Sequence, residues 1–195
     1  GDAGSEPVAA MPNPLDFVSP TEHVELPSKG KGYPQSHPLH NQETIEIKYM
    51  TAKEEDILSS RSLLKKGLAI ERLIESVICN KNITARELLV GDRNAILIAA
   101  RSSAYGNIYS TKVTCPNCME VSSYDFDLNQ ATIFEGENKE DYGITETAAG
   151  TFKVKLPVTD FVVEFRLLKG QDELEIIKKS QKLSKNNVAE QNVSD

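Results

Sequence analysis

Ile108-Tyr109-Ser110-Thr111-Lys112-Val113-Thr114-Cys115-Pro116-Asn117-Cys118-Met119-Glu120-Val121-Ser122-Ser123-Tyr124-Asp125-Phe126-Asp127-Leu128 is the stretch from which the fold class reads. Tyr109, Thr111 and Val113 recur at a period of two before the cysteines, and Val121, Tyr124, Phe126 and Leu128 follow them. That period belongs to strands whose side chains alternate between faces, so the stretch predicts an antiparallel hairpin with Cys115-Pro116-Asn117-Cys118 at its tip. A second hairpin is predicted downstream, with Phe152, Val154 and Leu156 rising to Pro157, and Phe161, Val163, Phe165 and Leu167 returning after Thr159-Asp160. The four strands are expected to share one sheet face. The Gly-, Glu- and Asn-rich residues from Glu135 to Gly150 carry no apolar rhythm and are expected to be an exposed excursion.

On either side of this region the period changes to that of helices. Thr51 with Glu54 three residues on reads as a capping box. After it, Ile57, Leu58, Leu64, Leu68, Leu73, Ile74, Val77 and Ile78 recur at spacings of three and four, predicting two amphipathic helices broken near Gly67. Thr84 and Glu87 form a second box before Gly91, and Ile96, Leu97, Ala99 and Ala100 mark a helix ending near Gly106. Beyond Gly170, the acidic pair Asp172 and Glu173 suits the positive end of a final helix carrying Leu174, Ile176, Ile177 and Leu183. Ile45, Ile47 and Tyr49 predict a short strand ahead of the helices. Before that strand lie seven of the nine prolines and all three histidines. Prolines remove backbone donors and push their neighbours toward extended geometry, so residues 1–42 read as an extended arm. Phe17, Val18, Val24, Leu26, Tyr33 and Leu39 give that arm apolar points with which to dock on its own core or on a partner. The predicted class is α+β: an arm over 1–42, a helical unit over 43–107, an antiparallel four-stranded region with a C-terminal helix over 108–185, and a polar tail over 186–195 expected to fray.

Composition narrows the function. The 195 residues carry 22 Lys plus Arg against 29 Asp plus Glu, a formal charge of -7. Without a basic block there is little to displace counterions from a phosphate backbone, so nucleic acid is not an expected partner. No apolar run approaches the roughly 18–20 residues a membrane span needs, and the opening Gly-Asp-Ala-Gly-Ser-Glu lacks the basic and then apolar layout of a secretory signal. Three cysteines are too few and odd in number for a disulfide framework, which suits a reducing compartment.

The strongest local chemistry is the Cys115/Cys118 pair. Its spacing in a tight turn lets two sulfurs face one point, as a tetrahedral thiolate zinc site requires, yet structural zinc takes four protein ligands and no second such pair exists. Three readings stay open: zinc completed within the chain, zinc shared across a dimer, and a metal-free knuckle. Cys79, between Ile78 and Asn80, reads as a small buried hydrophobe. His23, His37 and His40 lie in the proline-rich arm, a poor place to hold catalytic geometry, and Lys29-Gly30-Lys31-Gly32 lacks the strand, helix and spacing of a phosphate loop. Gly91-Asp92-Arg93-Asn94 reads as a helix cap whose Arg93, with Arg101, pairs with acidic neighbours or with a partner's carboxylates. An enzyme is not expected.

Pro20-Thr21-Glu22-His23-Val24-Glu25-Leu26-Pro27-Ser28-Lys29-Gly30, Gly32-Tyr33-Pro34 through His37-Pro38-Leu39, Tyr49 through Leu58, Leu89-Val90-Gly91-Asp92-Arg93-Asn94 and Val113 through Cys118 occur in that order. Together they resemble the baseplate hub assembly proteins of T-even-like contractile-tailed phages. The resemblance runs from about Phe17 to the last helix. It implies a non-enzymatic role, as chaperone or hub subunit, beside hub or tape-measure proteins. The location it implies is the host cytoplasm during assembly or the virion baseplate. Members that look like this chain often carry a single Cys-x-x-Cys. The expected partner contacts are Phe17, Leu26, Tyr33 and Arg93, with a homo-oligomer open; the expected metal ligands, if zinc is bound, are Cys115 and Cys118. A zinc-stabilised interaction module unrelated to hub assembly is the alternative.

Overall fold

A computed structural model describes residues 20–133 and 142–191, with side chains described up to residue 180. The α+β class holds. The element order is β1 (Thr21–Glu25), β2 (Thr44–Lys48), α1 (Ala52–Ser59), α2 (Arg61–Lys66), α3 (Ala69–Val77), α4 (Val90–Tyr105), β3 (Ile108–Thr114), β4 (Val121–Asp127), β5 (Thr145–Glu146), β6 (Phe152–Lys155), β7 (Val162–Phe165) and α5 (Gly170–Gln191).

The proline-rich segment is extended only through β1, which pairs antiparallel with β2 so that Val24 opposes Ile45 and Glu22 opposes Ile47. From Pro27 to Asn41 it winds through successive turns: Lys29 N–H donates to Leu26 O, Lys31 to Ser28 O, His37 to Pro34 O and His40 to His37 O. The turns fold Leu26, Tyr33 and Leu39 into the core beside Ile45 and Ile47 of β2, Leu73, Ile74 and Val77 of α3, and Ile96 and Ala100 of α4. At about 1.5–3 kcal/mol for each large side chain buried, these three supply a substantial share of the core's gain. Of the two docking modes open to the arm, its own core is the one taken. Phe17 and Val18 lie outside the described residues.

The 51–78 stretch makes three helices rather than two. The added break is at Ser60, whose extended backbone ends α1 and whose hydroxyl accepts from Leu63 N–H to cap α2. Gly67 then ends α2 as expected. The Thr51–Glu54 box forms: the Glu54 carboxylate accepts from the Thr51 N–H at 2.9 Å and from its hydroxyl at 2.5 Å. It also accepts from the Ser76 hydroxyl on α3 and pairs with Lys48 at 3.3 Å, so one fully buried carboxylate ties β2, α1 and α3 together. Burial alone would raise the Glu54 pKa, but the bonds from Ser76, Thr51 and Lys48 outweigh it and hold the group at about 2. A carboxylate depressed in the folded state stabilises fully above its ordinary value of 4.5, and that contribution disappears as pH falls through about 2. Acid titration of Glu54→Gln followed by circular dichroism is therefore expected to show lower stability at neutral pH. Its loss of stability between pH 4.5 and 2 should be shallower than that of the parent.

The four later strands do not share a sheet. Among the described residues, β3 pairs only with β4, whereas β6 lies between β5 and β7 in a separate three-stranded sheet. Alternation marks strands but does not choose their neighbours, and the edge of β6 opposite β7 is taken by β5, from the stretch expected to be irregular. The α5 helix continues through Gln191, past Asn186 where fraying was expected. Its start is bolted to the segment before α4: Gly170 N–H donates to Leu88 O, Gln171 N–H to Arg86 O, and Val90 N–H to Leu168 O.

Candidate interaction surfaces

Asp92, in the first turn of α4, is fully buried. Its Oδ1 accepts from Ser28 N–H at 2.9 Å, and its Oδ2 accepts from the Ser28 hydroxyl and the Tyr33 hydroxyl, both at 2.7 Å. The Tyr33 oxygen in turn accepts from Leu89 N–H at 3.0 Å. The carboxylate thus sits where the helix dipole favours negative charge and where every donor aimed at it comes from the folded arm. Burial and the Asp92 charge push the Tyr33 phenol far above its ordinary value, so it keeps its proton and donates. The Ser28–Tyr33 and Leu89–Asn94 stretches, among those that carry the resemblance in the sequence, meet at this network. Leu26, Tyr33 and Arg93 are accordingly used inside the chain in place of the partner contact expected of them. Leu26 and Tyr33 are core residues, and Arg93, only 12% exposed, forms an ion pair with Glu173 that holds α5 against α4.

The histidines are also part of this packing. His37 stacks on Tyr33 at 4.6 Å between ring centroids and its Nδ1 accepts from Leu39 N–H, while His40 Nδ1 lies 2.8 Å from Tyr33 O. Burial pushes the His37 imidazole below its ordinary value. Cys79 is half-buried beside β2, where its N–H donates to Glu46 O, and burial raises its thiol.

The uncovered surface lies elsewhere. In the β3–β4 ribbon, Tyr109 opposes Phe126, Thr111 opposes Tyr124 and Val113 opposes Ser122, so these six share one face; Ser110, Asp125, Lys112 and Ser123 share the other, with Ile108 and Val121 at its two ends. The ribbon is therefore amphipathic, yet Tyr109, Val113, Tyr124 and Phe126 are all exposed. Its base is fixed. Arg101 of α4 donates to Gly106 O at 3.1 Å and lies over the Tyr105 ring, and Leu128 N–H closes on Asn107 O at 2.8 Å. At its tip, the Cys115 sulfur accepts hydrogen bonds from the N–H groups of Cys118 and Asn117 and from the Cys118 thiol, which hold the Cys115 thiol below its ordinary value. Cys115 N–H donates to Glu120 O and Met119 N–H to Cys115 O, closing the turn. No group of three or more potential ligands converges among the described residues, so the pair stands as two of the four that structural zinc takes.

A second uncovered surface lies at the β6–β7 turn. Leu156 N–H donates to Phe161 O, and Lys155 pairs with Asp160 at 2.8 Å, which braces a turn presenting Val158 at 92%, Phe161 at 71% and Val162 at 65% exposure. Ile176 and Ile177 of α5 are exposed as well. Alternation in the sequence located these strands, but exposure depends on which faces other elements cover, and nothing local signals that.

The fold thus closes Glu54 and Asp92 into internal networks and leaves aromatic and aliphatic surfaces bare, the kind of surface that commonly marks an interaction site. The chain belongs to the T4 bacteriophage base plate protein family, whose model matches residues 19–190. It thus has a role in baseplate structure or assembly. No curated protein and no solved structure matches it. No helix among the described residues is long and apolar enough to cross a membrane.

Proposed function

We propose that the chain is a non-enzymatic assembly factor or subunit of the baseplate hub that works by presenting its bare hairpins to other tail proteins. The observation carrying this reading is the Val158–Val162 turn, where three large apolar residues are held in the open by a braced loop. Hub or tape-measure polypeptides are the partners, met in the host cytoplasm during assembly. Permanent subunit and departing chaperone differ only in whether the chain stays.

The test is complementation of a phage lacking the chain by a copy carrying Phe161→Asp and Val162→Asp. Burying such side chains is worth about 1.5–3 kcal/mol each, so titre and recovery of the chain with hub intermediates are expected to fall at least about tenfold. The circular dichroism spectrum should stay unchanged, because neither side chain is in the core. Unchanged titre and hub association would overturn the reading. Mass spectrometry of purified tails separates subunit from chaperone by the presence of the chain.

A further inference from the structure

We infer that the Cys115/Cys118 turn is half of a zinc site completed by a second copy of this chain, with the β3–β4 ribbons packed aromatic face to aromatic face. Two independent observations meet here. The first is the turn itself: Cys115 N–H donates to Glu120 O, Met119 N–H donates to Cys115 O, and Met119 takes up a positive φ of 61°, so the two cysteines are held in one tight turn at the tip. A Cys-x-x-Cys pair closed into such a turn has the spacing that brings two sulfurs to one metal. The set is still two ligands short.

The second observation is the ribbon behind the turn. Tyr109, Val113, Tyr124 and Phe126 line one face, all exposed, while the opposite face carries Ser110, Lys112, Ser123 and Asp125 along its middle, with Ile108 at the base and Val121 near the tip. Two-stranded ribbons alone are marginal in water, and one with an apolar face calls for a cover. A polar partner surface would not serve. A two-fold axis along the ribbon supplies an identical apolar face and, in the same operation, an identical pair of sulfurs at the tip. One occupant therefore satisfies both deficits. The four thiolates complete a tetrahedral zinc site, losing their protons to solvent as the metal binds.

The test adds Zn2+ to the reduced, metal-free full chain and follows it by native mass spectrometry. The expected species is one zinc per two chains at twice the chain mass, with dissociation to monomer on chelation. Cobalt substitution should give the absorption of a tetrahedral four-thiolate site. Cys115→Ser and Cys118→Ser are each expected to abolish both the metal and the dimer without moving the melting temperature of the metal-free chain, since the tip lies outside the core; Cys79→Ser should retain both. Tyr124→Asp, with the cysteines intact, should raise the zinc concentration needed for half-dimerisation at least about tenfold. One zinc on a monomer, no retained zinc, a zinc-independent dimer, or zinc held only with a different polypeptide would each overturn the inference. Because this assay needs no other phage protein, its failure is distinct from failure of the hub reading.

Discussion

Replacing Asp92 by alanine is expected to lower the melting temperature by roughly 6–20 °C. The substitution leaves the half-buried Ser28 N–H and hydroxyl and the buried Tyr33 hydroxyl without their acceptor. A donor left without its acceptor costs about 1–3 kcal/mol, so the three together, two of them on half-buried Ser28, cost about 3–5 kcal/mol, and in a chain of this size each kcal/mol moves the midpoint by about 2–4 °C. Tyr33→Phe removes one of those donors and also the acceptor for Leu89 N–H, and is expected to cost about 1.5–3 kcal/mol. The two should not add. Once Asp92 is absent the Tyr33 hydroxyl has lost its acceptor, so the double variant should be less destabilised than the sum, and a thermal double-mutant cycle measures the coupling. Additive losses would mean that Asp92 and Tyr33 act separately.

Gly30→Ala is expected to be equally damaging for a different reason. Gly30 has a φ of +73°, and a Cβ there would lie 2.3 Å from Gln42 N, 2.6 Å from Leu39 O and 2.7 Å from Asn41 N. All three are backbone atoms of the turn it packs against, so nothing can rotate out of the way. A left-handed conformation costs a non-glycine residue about 1–3 kcal/mol and overpacking adds about as much, giving a loss of about 3–5 kcal/mol. Because the strained turn holds Leu39 and faces Asn41 N–H across to Gly30 O, the variant should expose the 27–42 segment to protease before the helices unfold. Simultaneous loss of the helical signal and the segment's protection would show instead that the arm and core form one cooperative unit.

What the amino-acid sequence made legible followed the range of the interactions. Thr51 and Glu54 are three residues apart, and their box could be read directly; so could the end of α4 at Gly106, the acidic first turn of α5 and the two hairpins. Asp92 was visible only as a helix-cap residue, because Ser28 and Tyr33 lie 64 and 59 positions away. Val24, Leu26, Tyr33 and Leu39 were legible as apolar docking points of the arm, but their pattern is the same whether they face inward or toward a partner. The turns between Pro27 and Asn41 are what face Leu26, Tyr33 and Leu39 inward. The bare surfaces were the least legible. Tyr124 and Phe161 have the same alternation as Val154, and only the three-dimensional arrangement leaves the first two uncovered.

The Pro-rich segment also carries a consequence for how the molecule is made. Its turns are closed by residues far downstream: Gly32 N–H donates to Glu146 at 2.7 Å, Gln35 N–H to Ala148 O, and Gly150 approaches the Tyr33–Pro34 backbone so closely that a Cβ would lie 2.7 Å away. The Gly32–Gln35 turns must therefore wait for residues made more than 100 positions later before their packing is complete. Contacts of such long sequence separation slow folding and leave apolar groups open during synthesis. Translation itself thus sets the earliest moment at which the finished protein can exist, and a ribosome that stalls before residue 146 releases a product whose Tyr33 turn lacks its last anchors.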